Sequence, residues 1–233
     1  MIRVLSLGAG VQSSTLLMSC RGVLPKLDAA VFADTQWEPK AVYTWLEFLR
    51  EEASRAGIPV HVVTAGNLRD DALMFLQQRV LADGKRHASM PIFVRNLAGS
   101  RGLIRRQCTG SYKIDMIERC IRRDILGMQP GQRDPDNAVE QWIGISSDEI
   151  QRAGKRASHW QSYRYPLIDD LTSPRKDTLF GYDRQDCVDW LRDNGYGPAP
   201  RSACIGCPFH SDEEWAALTP DEFEDACQFD RCE

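Results

Sequence analysis

Ser6-Leu7-Gly8-Ala9-Gly10-Val11-Gln12-Ser13-Ser14-Thr15 places a glycine-rich turn between one apolar run and a second run that opens on small hydroxyl residues. Ile2 to Leu7 reads as a short buried strand, and Ser13 to Met18 as the first turns of a helix. A strand-turn-helix of this kind leaves the first helical amides unpaired beside the positive end of the dipole, which favours an anion. Gly8 and Gly10 remove side chains that would keep a phosphate oxygen away from the backbone. The dinucleotide and Walker fingerprints fail here, for want of the later Gly of the one and the Lys of the other.

Beyond the turn, apolar runs and helical patterns alternate, which predicts an open, mostly parallel α/β sheet with helices on both faces. Ala29 to Ala33 leads to a helix from about Lys40 to Ala56, and Val60 to Val63 to another from about Asn67 to Leu81. Pro39 suits the first turn of the former and Gly57 its C-terminal cap. Ala82 to Gln107 breaks the pattern and reads as a loop over the ligand edge, followed by a helix from about Ser111 to Leu126. Gly127 to Asn137 reads as a surface loop and Val139 to Ile145 as another strand. A helix near Arg184 to Asp193 and two short C-terminal helices complete the pattern. Ligands of such sheets sit outside the carboxyl ends of the strands, so Gly8 to Gln12, Asp34-Thr35 and Ser146 to Glu149 are expected on one edge.

A chain of 233 residues buries a full core as one α/β domain with a small extension. A net charge of −4 gives no global reason to expect nucleic acid, although basic residues cluster from Arg101 to Arg123 and from Arg152 to Lys176. Gln12, Ser13 and Ser14 interrupt the first apolar stretch, which makes it a poor secretory signal, and no run is long enough to cross a membrane. A cytoplasmic protein without a membrane partner is therefore expected, in which the eight cysteines are thiols or metal ligands before they are disulfides. Cys204-Ile205-Gly206-Cys207 has the spacing at which two thiolates grip one metal or cluster, and Cys108, just before a helix, is the best third ligand. Structural zinc with His210 as a fourth ligand is the alternative. Cys20, Cys120 and Cys187 fall in helical patterns and read as small apolar residues.

Gly8-Ala9-Gly10-Val11-Gln12-Ser13 resembles the pyrophosphate loop of the PP-loop ATP pyrophosphatases, usually Ser-Gly-Gly-x-Asp-Ser. Gly8 stands where that family has Ser, and Gln12 where it has Asp. The chain is similar to the phosphoadenylyl sulfate reductase branch in further residues, taken in order. Asp34-Thr35 follows the second strand, Cys108 and Lys113 precede the long interval, and Trp142, Gly144 and Arg152 surround the later strand. Pro166-Leu167 and Tyr196 then lead to Cys204 and Cys207. Thr109 replaces the second cysteine of the first pair, and Ser146-Ser147 replaces a basic residue. The C-terminal Glu-Cys-Gly-Leu-His motif of the reductases has no counterpart in Ala226-Cys227-Gln228-Phe229-Asp230-Arg231-Cys232-Glu233.

The resemblance implies a Rossmann-like (HUP-type) nucleotide-binding domain over residues 1–165 and a C-terminal cysteine-bearing extension over 166–233 packed on it. It implies ATP or an adenylyl sulfate bound by Ser6, Gly8, Ala9, Gly10, Gln12, Ser13, Ser14, Phe32, Asp34 and Gly144, with Phe32 near the adenine mostly through backbone atoms. Mg would offset the charge, with Lys113, Arg106, Arg152 and Asp148 in catalytic positions, and Cys108, Cys204 and Cys207 would hold a 4Fe-4S cluster. The function expected is ATP-dependent adenylation followed by sulfur transfer to a nucleobase, nucleic acid or small acceptor, with a sulfur-donor protein, an RNA or DNA acceptor and a second copy of the chain as partners. The rival expectations are an adenylyl sulfate reductase and a non-catalytic nucleotide-binding module with structural zinc.

Overall fold

The first strand, β1 (Ile2–Leu7), is built from residues that bury on both faces, and Val4, Leu5 and Leu7 are all nearly inaccessible. The structure, a computed structural model, describes residues 1–78, 90–91, 93–95, 99–103, 107–154, 158–168 and 181–231. Helix α1 (Val11–Ser19) follows β1 and is buried at every position but Gln12. Its polar residues survive burial because they bond locally: Thr15 Oγ1 donates to the Val11 carbonyl at 3.0 Å and Ser19 Oγ to the Thr15 carbonyl at 2.6 Å. The strand β2 (Ala29–Asp34) is a continuous apolar run before its terminal Asp, as expected for a parallel strand covered on both faces. Helix α2 (Lys40–Arg55) buries Val42, Leu46, Leu49 and Ala53, the stripe that a 3.6-residue period produces. Pro39 precedes its first residue and so lies just outside, and Gly57 takes the left-handed cap with φ +66°.

β3 (Val60–Thr64) and α3 (Leu68–Gln78) come next, with Asn67 Oδ1 capping α3 by accepting the Arg69 amide at 3.0 Å. Within the segment expected to be loop, β4 (Phe93–Arg95) and β5 (Arg101–Leu103) form a two-stranded antiparallel ladder. A helical stretch then runs through Thr109–Ile114, α4 (Asp115–Cys120) and Ile121–Ile125, with the first and last parts widened into π-type turns. β6 (Val139–Ile143), β7 (Gln161–Arg164), α5 (Arg184–Asp193), α6 (Asp212–Ala216) and α7 (Pro220–Arg231) complete the described chain.

The main sheet has five parallel strands in the order β3-β2-β1-β6-β7. β1 pairs with β2 through Leu7 opposite Phe32, and with β6 through Ser6 opposite Ile143. The chain leaves β1 toward β2 on one side and meets β6 on the other, so the switch point of the sheet lies between β1 and β6. That is the α/β architecture expected, with β7 in addition. No described helix is long and apolar enough to cross a membrane.

Chain contacts divide the molecule into two compact units. The first comprises Met1–Phe32, Ala41–Val63 and Ile117–Ser202, and the second Ala33–Lys40, Thr64–Met116 and Ala203–Glu233. This partition differs from a boundary at residue 165, because α5 belongs with α1: Cys187 and Leu191 join Leu16 and Leu17 in one core, and Thr15 Oγ1 donates to the Cys187 carbonyl at 3.2 Å. The second unit has its own core, around Trp37, Leu68, Tyr112, Ile205 and Phe229.

Candidate functional site

In the first unit the turn after β1 is braced by its own hydrogen bonds. Ser13 Oγ accepts the Gly8 amide at 3.1 Å and donates to the Gly10 carbonyl at 3.3 Å, so this hydroxyl ties the two ends of the loop together. Ala9, not a glycine, takes the left-handed conformation, with φ +53°. Helix α1 starts at Gly10 with no side-chain cap and no acidic residue in its first turn, which leaves its N-terminus the polarity an anion requires. Gly144, just past β6, faces this loop from the adjacent strand: a Cβ there would stand 2.9 Å from the Ser13 nitrogen. Its glycine identity therefore permits the loop to approach the end of β6, and a ligand contact is not needed to explain it.

Two serines expected on the nucleotide are used elsewhere. Ser14 is fully buried, its Oγ accepting from Trp45 Nε1 at 2.8 Å, and Ser6 Oγ accepts from Gln141 Nε2 at 2.7 Å across the sheet. The Phe32 side chain lies in the core of the first unit at 2% exposure, which leaves only its main chain to meet a ligand. Asp148 accepts the Arg184 amide at 3.2 Å, at the start of α5. Its neighbour Glu149, expected on the same edge, is the acid that reaches the loop: Glu149 Oε2 accepts from Gln12 Nε2 at 3.4 Å. Gln12 Nε2 also donates to Ser146 Oγ at 3.3 Å, and Glu149 Oε1 pairs with Arg152 Nη1 at 2.6 Å. The 3-10 turn over Ser147–Arg152 decides which of the two adjacent acids faces the loop.

In the second unit, Cys204 lies at the centre of a buried polar group. Its Sγ is 3.2 Å from Thr35 Oγ1 and 3.7 Å from Glu38 Oε1. Glu38 Oε1 also accepts from Thr35 Oγ1 and from Lys113 Nζ, each at 3.2 Å, and its side chain is 0% exposed. Burial pushes the Cys204 thiol up to about 12, reinforced by the Glu38 carboxylate and only partly opposed by Lys113. Burial works against the Lys113 charge, yet Glu38 and the thiols of Cys204 and Cys108 together hold its ammonium above the ordinary value. Cys204 and Cys207 are closed into a turn by the Cys207 amide on the Cys204 carbonyl at 2.9 Å. Gly206 in that turn lies against the Trp37 ring, and the Ile205 amide donates to the Trp37 carbonyl at 2.8 Å.

Cys108 packs against the same core as Cys204, but no three His, Cys, Asp or Glu side chains form a metal-holding group among the described residues. Trp37 is 4% exposed, donates to Asp225 Oδ2 at 2.6 Å and meets Phe229 at 4.9 Å between ring centroids. Asp34 Oδ1 accepts the Gln36 amide at 2.7 Å just after β2. Cys227 lines a pocket of about 510 Å³ with Gly206, Pro208, Trp215, Phe223 and Phe229. Arg106 lies outside the described residues, as does Cys232. Thr35 was expected on the ligand edge, whereas Glu38, four residues past Asp34, is the functional candidate that sequence reading missed. Compared with protein-family models and with curated protein sequences, the chain matches none.

Proposed function

We propose that this chain is an ATP-dependent adenylating enzyme of the PP-loop type, which transfers sulfur to a nucleobase, a nucleic acid or a small acceptor and releases pyrophosphate. The observation that carries the reading is the loop from Gly8 to Ser13: an uncapped helix N-terminus at the switch point of a parallel sheet, braced by Ser13. An acceptor carbonyl oxygen attacks the α-phosphorus of ATP, pyrophosphate departs, and a sulfur nucleophile then displaces AMP. The loop amides suit the departing pyrophosphate because they are fixed donors that need no reorganisation as charge develops. Mg fits the oxygen donors beside the loop, since it is commonly held by one or two carboxylates with phosphate oxygens and water, and Glu149 is such a carboxylate.

The thiol set supports the second half of the reading. Cys108 and Cys204 share one apolar core, and Cys207 is joined to Cys204 by a closed turn, a soft donor set suited to iron–sulfur or zinc. These three residues would hold a 4Fe-4S cluster. Bound there, it would supply an iron without a protein ligand, open to an exogenous sulfide. Lys113 and Glu38 set the charge around Cys204 by their ion pair.

Anaerobic purification with metal and acid-labile sulfide analysis tests the thiol assignment, and a colourless protein carrying one tight zinc would overturn it. Incubation with ATP, Mg and candidate acceptors should release pyrophosphate. Release of sulfite from an adenylyl sulfate, with no pyrophosphate from ATP, would replace the reading by the reductase.

A further inference from the structure

We propose that Glu149 is the carboxylate of the nucleotide site, holding the divalent cation that accompanies ATP in place of an acid on the loop itself; the inference rests on the ATP reading above. From Ser6 to Ser19 the chain has no acidic residue, so the loop and helix that would receive the triphosphate bring no anionic ligand for a cation. Three negatively charged phosphates at a helix N-terminus still require one, because the dipole offsets only a fraction of their charge.

Glu149 meets this need from the neighbouring strand. It follows β6, across the switch point from β1, and its Oε2 is joined to Gln12 of the loop at 3.4 Å. Asp148, the adjacent acid, is engaged with the Arg184 amide and reads as a cap. Gln12 thus acts as a positioning residue: its amide holds Glu149 beside the loop and is anchored in turn on Ser146, which is fully buried.

Arg152 completes the arrangement. It pairs with Glu149 Oε1 at 2.6 Å while its own side chain is 60% exposed, against 28% for Glu149. An exposed pair of this kind is weak and exchanges easily. A cation held by Glu149 would compete with this pair, so the Arg152 guanidinium would be available as a second positive charge beside the site.

The test is nucleotide affinity, not turnover. A non-hydrolysable ATP analogue is titrated by calorimetry into the purified chain with Mg2+ and with chelator, and Mn2+ binding is followed by electron paramagnetic resonance. Wild-type protein should bind the analogue at least about tenfold more tightly with Mg2+. Glu149→Gln should lose that metal dependence and the tight Mn2+ signal while binding the metal-free analogue as well as wild type or better, because a negative charge has gone. Moving the charge back onto the loop in the double variant Gln12→Asp, Glu149→Gln should restore the dependence. A Glu149→Gln protein that keeps the wild-type ratio overturns the inference and leaves the ATP reading standing. Wild-type protein that binds the analogue under neither condition overturns both.

Discussion

Gly206 has no room for a side chain. A Cβ there would stand 2.2 Å from a Trp37 ring carbon, and the ring is held by its hydrogen bond to Asp225 and by Phe229. Gly206→Ala should therefore destabilise the fold by about 1–3 kcal/mol, the range for overpacked cores, read as a lower urea midpoint. Gly144→Ala meets main chain at the Ser13 nitrogen, and its effect should fall on the loop: weaker nucleotide binding at a smaller loss of stability. The sequence shows that both positions are glycine but not what approaches them. The partners of Ser6 and Ser14 were hidden for a related reason. Hydroxyls line up along the turn in sequence, while the burial of almost all of α1 turns Ser14 toward Trp45 and sheet pairing turns Ser6 toward Gln141.

At the scale of elements, the informative one is the helix that begins at Thr109, whose widened first part carries Lys113. Such π-type openings are uncommon and often accompany functional positions. Lys113 pairs with Glu38, which lies between β2 and α2 and has a side chain at 0% exposure. A basic residue after Cys108 was legible in the sequence, but its carboxylate partner was not, because Glu38 lies 75 positions away. Lys113→Met would take one cation away from a carboxylate whose side chain is fully buried. The expected cost is roughly 3 kcal/mol, the lower end for breaking a buried pair, since the Lys113 side chain is itself 34% exposed. Adding Glu38→Gln to Lys113→Met should recover much of the stability, measured by chemical unfolding. A double variant as unstable as Lys113→Met alone would show that Lys113 acts through packing and not through charge.

For the whole molecule, the main-sheet strands that sequence reading found are the apolar ones, and the strand of that sheet it missed is β7, Gln161-Ser162-Tyr163-Arg164, an edge strand with no apolar run to announce it. The unit boundaries were hidden as well, since each unit is assembled from three separated segments and a composition change at one position cannot mark them. The cysteines spread through the fold give the last prediction. Cys20 and Cys187, both in the core of the first unit, are pushed from 9.0 up to about 12 by burial. Below pH 9 both thiols keep their protons whether the chain is folded or not, so neither adds a pH dependence. Between about 9 and 12 the unfolded chain releases protons that the folded one retains, and unfolding gains accordingly. Lys113 works in the same direction, because its raised ammonium keeps a proton in the folded state that the unfolded chain loses above 10.5. Stability measured by urea unfolding should therefore be level with respect to these groups up to about pH 9 and fall steadily above it. Cys20→Ala and Cys187→Ala together should lower stability at pH 8 modestly, by loss of packing, yet flatten the alkaline decline. An unchanged slope in that double variant would assign the alkaline loss to other groups.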